Sequence, residues 1–177
     1  MGAVEAPGTN FASLVSWAEE RLDKQDQPTF QLLQALCNGE RTARSDVERA
    51  EILYLKAQAY GQDECLTAAE NCCNEALVKL TVAEDYRILR GEILTYKGYT
   101  LFRKAILGDM AVQDRLALLE ASKSCLEDAM RELLGQPKLF ANAEWRLHWS
   151  RYKLKMLDPA NPWWRKVWWW AVGVRSA

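Results

Sequence analysis

The 177-residue chain has little of what catalysis most often uses. It holds one histidine, His148. A single imidazole cannot form a two-histidine metal site, and it leaves one candidate base for any nucleophile. His148 lies between Leu147 and Trp149, the setting of a packed or surface side chain. There is no Gly-rich phosphate loop, no Gly-x-Ser-x-Gly elbow and no His-Glu-x-x-His. The acids Glu48, Glu51, Glu120 and Glu127 sit at helical spacings and read as solvated helix faces. No catalytic residue, metal ligand or cofactor is therefore expected.

Other absences narrow the class further. The five cysteines are odd in number and lie beside apolar residues in helical patterns. That argues against a secreted disulfide framework and for reduced core thiols in the cytoplasm or nucleus. No basic stretch leads into an apolar run near Met1, so no signal peptide is read. Met1-Gly2 opens like an acylation site, but Ala6 stands where Ser or Thr is required. No run of about 18 apolar residues exists, so no membrane-spanning helix is expected. Strand-like alternation is almost missing. The net charge of −1 gives no general attraction to nucleic acid or membrane.

What is present is helical pattern. Hydrophobic content of 49% and charged content of 27% suit a globular chain with a real core. Residues 1–9 contain Pro7 and Gly8 and are expected to be flexible. Asn10 can cap a helix carrying Phe11, Leu14, Val15, Ala18 and Leu22. Pro28 opens a second with Phe30, Leu32, Leu33, Leu36 and Cys37, closed by Asn38-Gly39. Ser45 and Glu48 form a capping-box signature. Ile52, Leu53, Ala57 and Tyr60 follow at helical spacing, and Gly61 is expected to supply the left-handed exit turn. Leu66, Ala69, Cys73, Ala76 and Leu77 then mark one face of the next helix. Asp85 to Ile106 reads as a long helix in which Gly98 costs about 1 kcal/mol relative to Ala. Close packing by a neighbour is the expected compensation. Asp114 to Leu134, ended by Gly135 and Pro137, and Ala141 to Leu157 complete the set. Trp145, Trp149 and Tyr152 share one side of the last.

The central pair resembles the tetratricopeptide repeat. Ala57, Tyr60, Ala69 and Ala76 match that family's order of small, aromatic, Ala and small residues, with Leu66, Cys73 and Leu77 at the accompanying apolar places. Leu53, Lys56 and Thr81 depart from its Trp, Leu and Pro. A divergent copy of the small residue falls at Ala18, 39 positions earlier, and another at Gly98, 41 later. Leu157-Asp158-Pro159-Ala160-Asn161-Pro162 is similar to the linker that joins such repeats. The resemblance implies an all-α fold: antiparallel helical hairpins stacked as a short right-handed array over residues 10–157. It also implies a concave groove lined by the first helices of each pair. Glu51, Tyr54 and Gln58 would face it from one repeat, and Glu92, Thr95, Tyr99 and Phe102 from the next. Chaperone-binding members hold a C-terminal carboxylate with Lys and Asn. Tyr54 and Gln58 stand at those places, so a heat-shock chaperone peptide is not the expected partner. A partner helix or extended peptide suits an aromatic, mildly acidic groove.

The stretch 158–177 is a separate unit, read as a Trp-rich basic helix. From Trp145 to Ala177 seven basic residues face Asp158 alone, a net +6 against −7 for the remainder. Trp163, Trp164, Trp168, Trp169 and Trp170 bracket Arg165 and Lys166. Each Trp can bury about 150–250 Å² and is costly to leave in water. Four outcomes stay open: packing back on the array, anchoring in a partner's groove, lying in a membrane interface, or stacking on single-stranded nucleic acid. The expected function is a non-catalytic adaptor that assembles a complex through protein contacts. The alternatives are a membrane-surface adaptor anchored by its C-terminus, and a helical RNA-binding protein.

Overall fold

A computed structural model describes residues 10–24, 29–80 and 86–158. The expectations for residues 1–9, Pro28, Thr81, Asp85 and the whole C-terminal anchor Trp163 to Trp170 fall outside them. Among the described residues the chain forms seven helices and no strand: α1 (Phe11–Lys24), α2 (Thr29–Thr42), α3 (Asp46–Gln62), α4 (Leu66–Lys79), α5 (Arg87–Leu107), α6 (Val112–Glu132) and α7 (Pro137–Leu157). Each packs on the helix before and after it. The odd-numbered helices also touch one another in series, α1 on α3, α3 on α5 and α5 on α7. The result is a stacked array of two layers, with α1, α3, α5 and α7 in one and α2, α4 and α6 in the other.

Local chemistry starts the helices where the sequence indicates. The Asn10 side chain accepts from Ala12 N at 3.2 Å. Ser45 Oγ accepts from Glu48 N at 3.1 Å, and the Glu48 carboxylate reaches back to Arg44 N. Orphan amides at both starts are thereby satisfied. Small residues then set the spacing of the layers. Ala57, Cys73 and Ala76 are fully buried in one cluster with Leu53 and Ile93, and Ala69 is fully buried on the same helix as Cys73 and Ala76. Gly98 lets α6 approach α5: a Cβ there would lie 2.6 Å from Leu126 Cγ and 3.2 Å from Ser122 O. Across that contact Ser122 Oγ donates to Gly98 O at 2.7 Å and lies 2.9 Å from Ser150 Oγ, so one buried polar chain ties α5, α6 and α7.

Several local expectations are corrected. Asn38-Gly39 does not close α2, which runs on to Thr42. Gly39 is buried because a Cβ would collide with the Leu14 side chain of α1. Gly61 likewise stays inside α3, where a Cβ would meet the Tyr96 hydroxyl; the left-handed residue after the helix is Glu64, φ 59°. Both glycines serve a close approach between helices rather than a turn. Pro137 is the first residue of α7, which therefore begins four residues before Ala141. Cys72 and Cys73 are core thiols, but Cys65 is exposed at the start of α4 and Cys37 and Cys125 are half-buried.

Candidate functional site

The odd-numbered layer presents a groove. One hollow of about 350 Å³ lies between α1, α3 and α5, lined by Glu19, Asp23, Glu51, Tyr54, Gln58 and Glu92. A second, of about 640 Å³, is bounded by Thr29, Gln58, Asp63, Tyr96, Tyr99 and Arg103. A small cleft of about 50 Å³ carries the surface on to α7 through Tyr54, Glu92, Thr95, Tyr96, Asn142 and Arg146. Shared walls at Tyr54, Gln58, Glu92 and Tyr96 make the three continuous. Helical periodicity explains the lining: Glu51, Tyr54 and Gln58 recur every three to four residues on α3, as do Glu92, Tyr96, Tyr99 and Arg103 on α5.

Three tyrosines form its floor. The Tyr54 and Tyr96 rings lie edge to face at 6.0 Å, and Tyr96 and Tyr99 at 6.3 Å. The Tyr96 hydroxyl donates to Gln58 O at 3.5 Å. Burial, with the nearby Cys73, pushes its phenol up to about 12. Burial, followed by the charge of Glu92, raises that of Tyr54 as well. Both remain neutral at physiological pH. Two guanidinium groups approach Tyr99, Arg146 at 4.0 Å and Arg103 at 5.8 Å. Arg103 is committed, donating to Gly61 O at 2.7 Å and lying 3.4 Å from Glu64. Arg146 is not. Its Nε donates to Asn142 Oδ1 at 3.0 Å, but its Nη1 is buried without an acceptor. Burial lowers its pKa, and Tyr99 partly opposes that.

The other end is acidic. Burial first, then Glu19 and Glu48, raise the Glu51 carboxyl above the ordinary range. Glu92 is raised by burial, then by Glu19 and Glu51. None of Glu19, Glu51 and Glu92 forms an ion pair among the described residues. Glu51 and Glu92 are half-buried beside the exposed Glu19, three like charges with no cation at ion-pair distance among the described residues.

Of the residues expected at the groove, Glu51, Tyr54, Gln58, Glu92, Thr95 and Tyr99 line it. Thr95 is buried and returns its hydroxyl to Gly91 O at 2.8 Å, so it builds wall rather than offering a contact. Phe102 does not line it. Arg103 takes that place, and one residue is about 100° of helix rotation. Tyr96, Arg103, Asn142, Arg146 and Glu19 were not foreseen. Continuing the α5 stripe by four from Glu92 would have reached Tyr96; nothing local to α1 or α7 places Glu19 or Arg146. Among the described residues no group of metal-ligating side chains is assembled and no helix is long and apolar enough to cross a membrane. Burial raises the Cys72 thiol to about 11 and that of Cys73 to about 12, so neither presents a thiolate. No known family model, curated protein or solved structure matches the chain.

Proposed function

We propose that this is a non-catalytic adaptor with a tetratricopeptide-like array, whose groove holds a helix or extended segment of a partner protein. The observation that carries the reading is the set of uncompensated charges. Glu19, Glu51 and Glu92 lack a cation, and Arg146 lacks an acceptor on Nη1. Glu51 and Glu92 are partly desolvated without partners, which is costly, and a bound segment bearing Lys or Arg at the acidic end would remove that cost. A carbonyl or carboxylate of the same segment would satisfy Arg146. The tyrosines between them offer rigid amphipathic contact area at low entropic cost. Lys and Asn, the pair expected for a free terminal carboxylate, are absent from Tyr54 and Gln58, so the segment is internal to its protein. Cytoplasmic or nuclear location goes with this reading.

The test is co-purification with the full chain, followed by mass spectrometry, for wild type, Glu51→Lys, Arg146→Gln and a control on the exposed face of α4, Glu75→Gln. Proteins retained by wild type and control but lost from both groove variants would establish the groove. Identical retention by all four would overturn it. Flotation with liposomes, or RNA binding that weakens with salt, combined with that identical retention, would replace it by the membrane-surface or RNA-binding alternative.

A further inference from the structure

We propose that segment 162–174 of this same chain is the occupant of a second groove, between α6 and α7 at the end of the array. The helices alternate between layers, so the place that follows α7 lies in the layer of α2, α4 and α6. That place is open. It is a hollow of about 550 Å³ walled by Met130, Leu134, Phe140 and Leu147, with Glu127 and Glu144 beside Arg131, His148 and Arg151 at its edge. Leu134 is 67% exposed there, beside the partly buried Met130 and Phe140. Leaving such a patch to water forfeits about 25 cal/mol per Å².

Chain length and composition name the occupant. The chain leaves α7 at Asp158, whose N–H donates to Leu154 O at 3.0 Å. Pro159, Ala160 and Asn161 allow a reversal, and Pro162 is a residue that opens helices. Read as a helix from its sequence, 162–174 spans about 20 Å, against about 17 Å for the run of α7 from Arg151 back to Phe140. Its five tryptophans need an apolar surface, and this groove exposes one. The groove over α1, α3 and α5 exposes carboxylates and has its tyrosines mostly buried. Glu127 is shared with Arg151 at 2.9 Å, and Glu144 has no ion-pair partner among the described residues. Arg131 at the same edge is paired with Asp128, which leaves Glu144 for a cation of the segment, Arg165, Lys166 or Arg175. The seat leaves the tyrosine groove free, so this inference stands independently of the partner reading.

Trypsin can cut the full chain after Arg165 and Lys166 only when the segment is exposed. Protection of those bonds in the wild type, independent of protein concentration, is the expected result. Leu134→Asn adds no cleavage site and alters an exposed side chain; it should speed cutting there by about tenfold with the helical circular dichroism unchanged. Rapid cutting of the wild type, or protection that Leu134→Asn leaves intact, overturns the assignment. Protection that grows with concentration overturns it in favour of a second copy of the chain. A variant-free measurement accompanies these: a zero-length carbodiimide should couple Lys166 to Glu127 or Glu144. Coupling of Lys166 to Glu19, Glu51 or Glu92 instead would move the segment to the other groove and end this proposal.

Discussion

The seams between the layers and the groove over the odd-numbered layer hold the same residue types in opposite states. At the seams charges meet across helices: Lys56 with Glu40 at 2.8 Å, Lys104 with Glu70 at 2.6 Å, Arg90 with Glu132 at 2.7 Å. In the groove Glu51 and Glu92 are also half-buried, yet their neighbours are other carboxylates, and Arg146 stacks on a ring instead of an acid. Lys56 shows the contrast in its pKa. Burial pulls it down most strongly, but the hydrogen bond and charge of Glu40 together leave it raised. Glu51 and Glu92 are raised by burial with nothing to oppose it. Seam charges serve the fold itself; groove charges detract from it, and that difference is what the proposed partner surface rests on.

The comparison presumes two layers at a fixed spacing, so its strongest test is to disturb that spacing. Gly98→Ala should lower stability by about 1–3 kcal/mol, because Ser122 O is backbone and cannot swing aside. Ala76→Leu, at a fully buried contact of α4, should cost about the same. A melting midpoint unchanged in either would mean that the layers are not held by these contacts. Next comes a seam pair. Lys104→Met removes the partner of Glu70, both about 22% exposed, and should cost about 1 kcal/mol by chemical denaturation. A neutral result would erase the distinction between seam and groove.

The smallest effect has the opposite sign. Glu92→Gln should raise the melting midpoint at pH 7, since an ionised, half-buried carboxylate beside Glu19 and Glu51 is removed. The pH dependence follows from the direction of its shift. A carboxyl whose folded pKa exceeds its unfolded value binds more protons when folded. Its contribution is therefore most favourable below the ordinary value near 4.5 and is lost as pH rises through the folded value. The advantage of Glu92→Gln over wild type should shrink to nothing as the pH is lowered into that window. A cationic segment in the groove should for the same reason bind more weakly there than at pH 7. An advantage that persisted at low pH would show that charge is not its cause.

The sequence by itself determined the helices and much of their contact chemistry. Asn10, Ser45 and Glu48 cap where they stand because capping involves atoms only a few residues apart. Ala69 and Ala76 are legible as a contact because helical spacing puts them on one face of α4, and Ala57 of α3 meets Ala76 in the same cluster. Tertiary structure decided the rest. Gly39 and Gly61 look like helix ends from their neighbours alone, and only the nearness of Leu14 and Tyr96 makes them interior contacts. Thr95 and Phe102 seemed to share a face with Glu92 and Tyr99. The rotation of α5 against α3 and α7 buried one and gave the other's place to Arg103. Arg146 and Glu19 stand 127 residues apart in sequence, and their meeting with Tyr99 and Glu92 depends on the stacking of four helices. Capping and periodicity act over a turn or two of helix. Whether a charge finds a partner depends on the register between helices, which packing of the whole array sets.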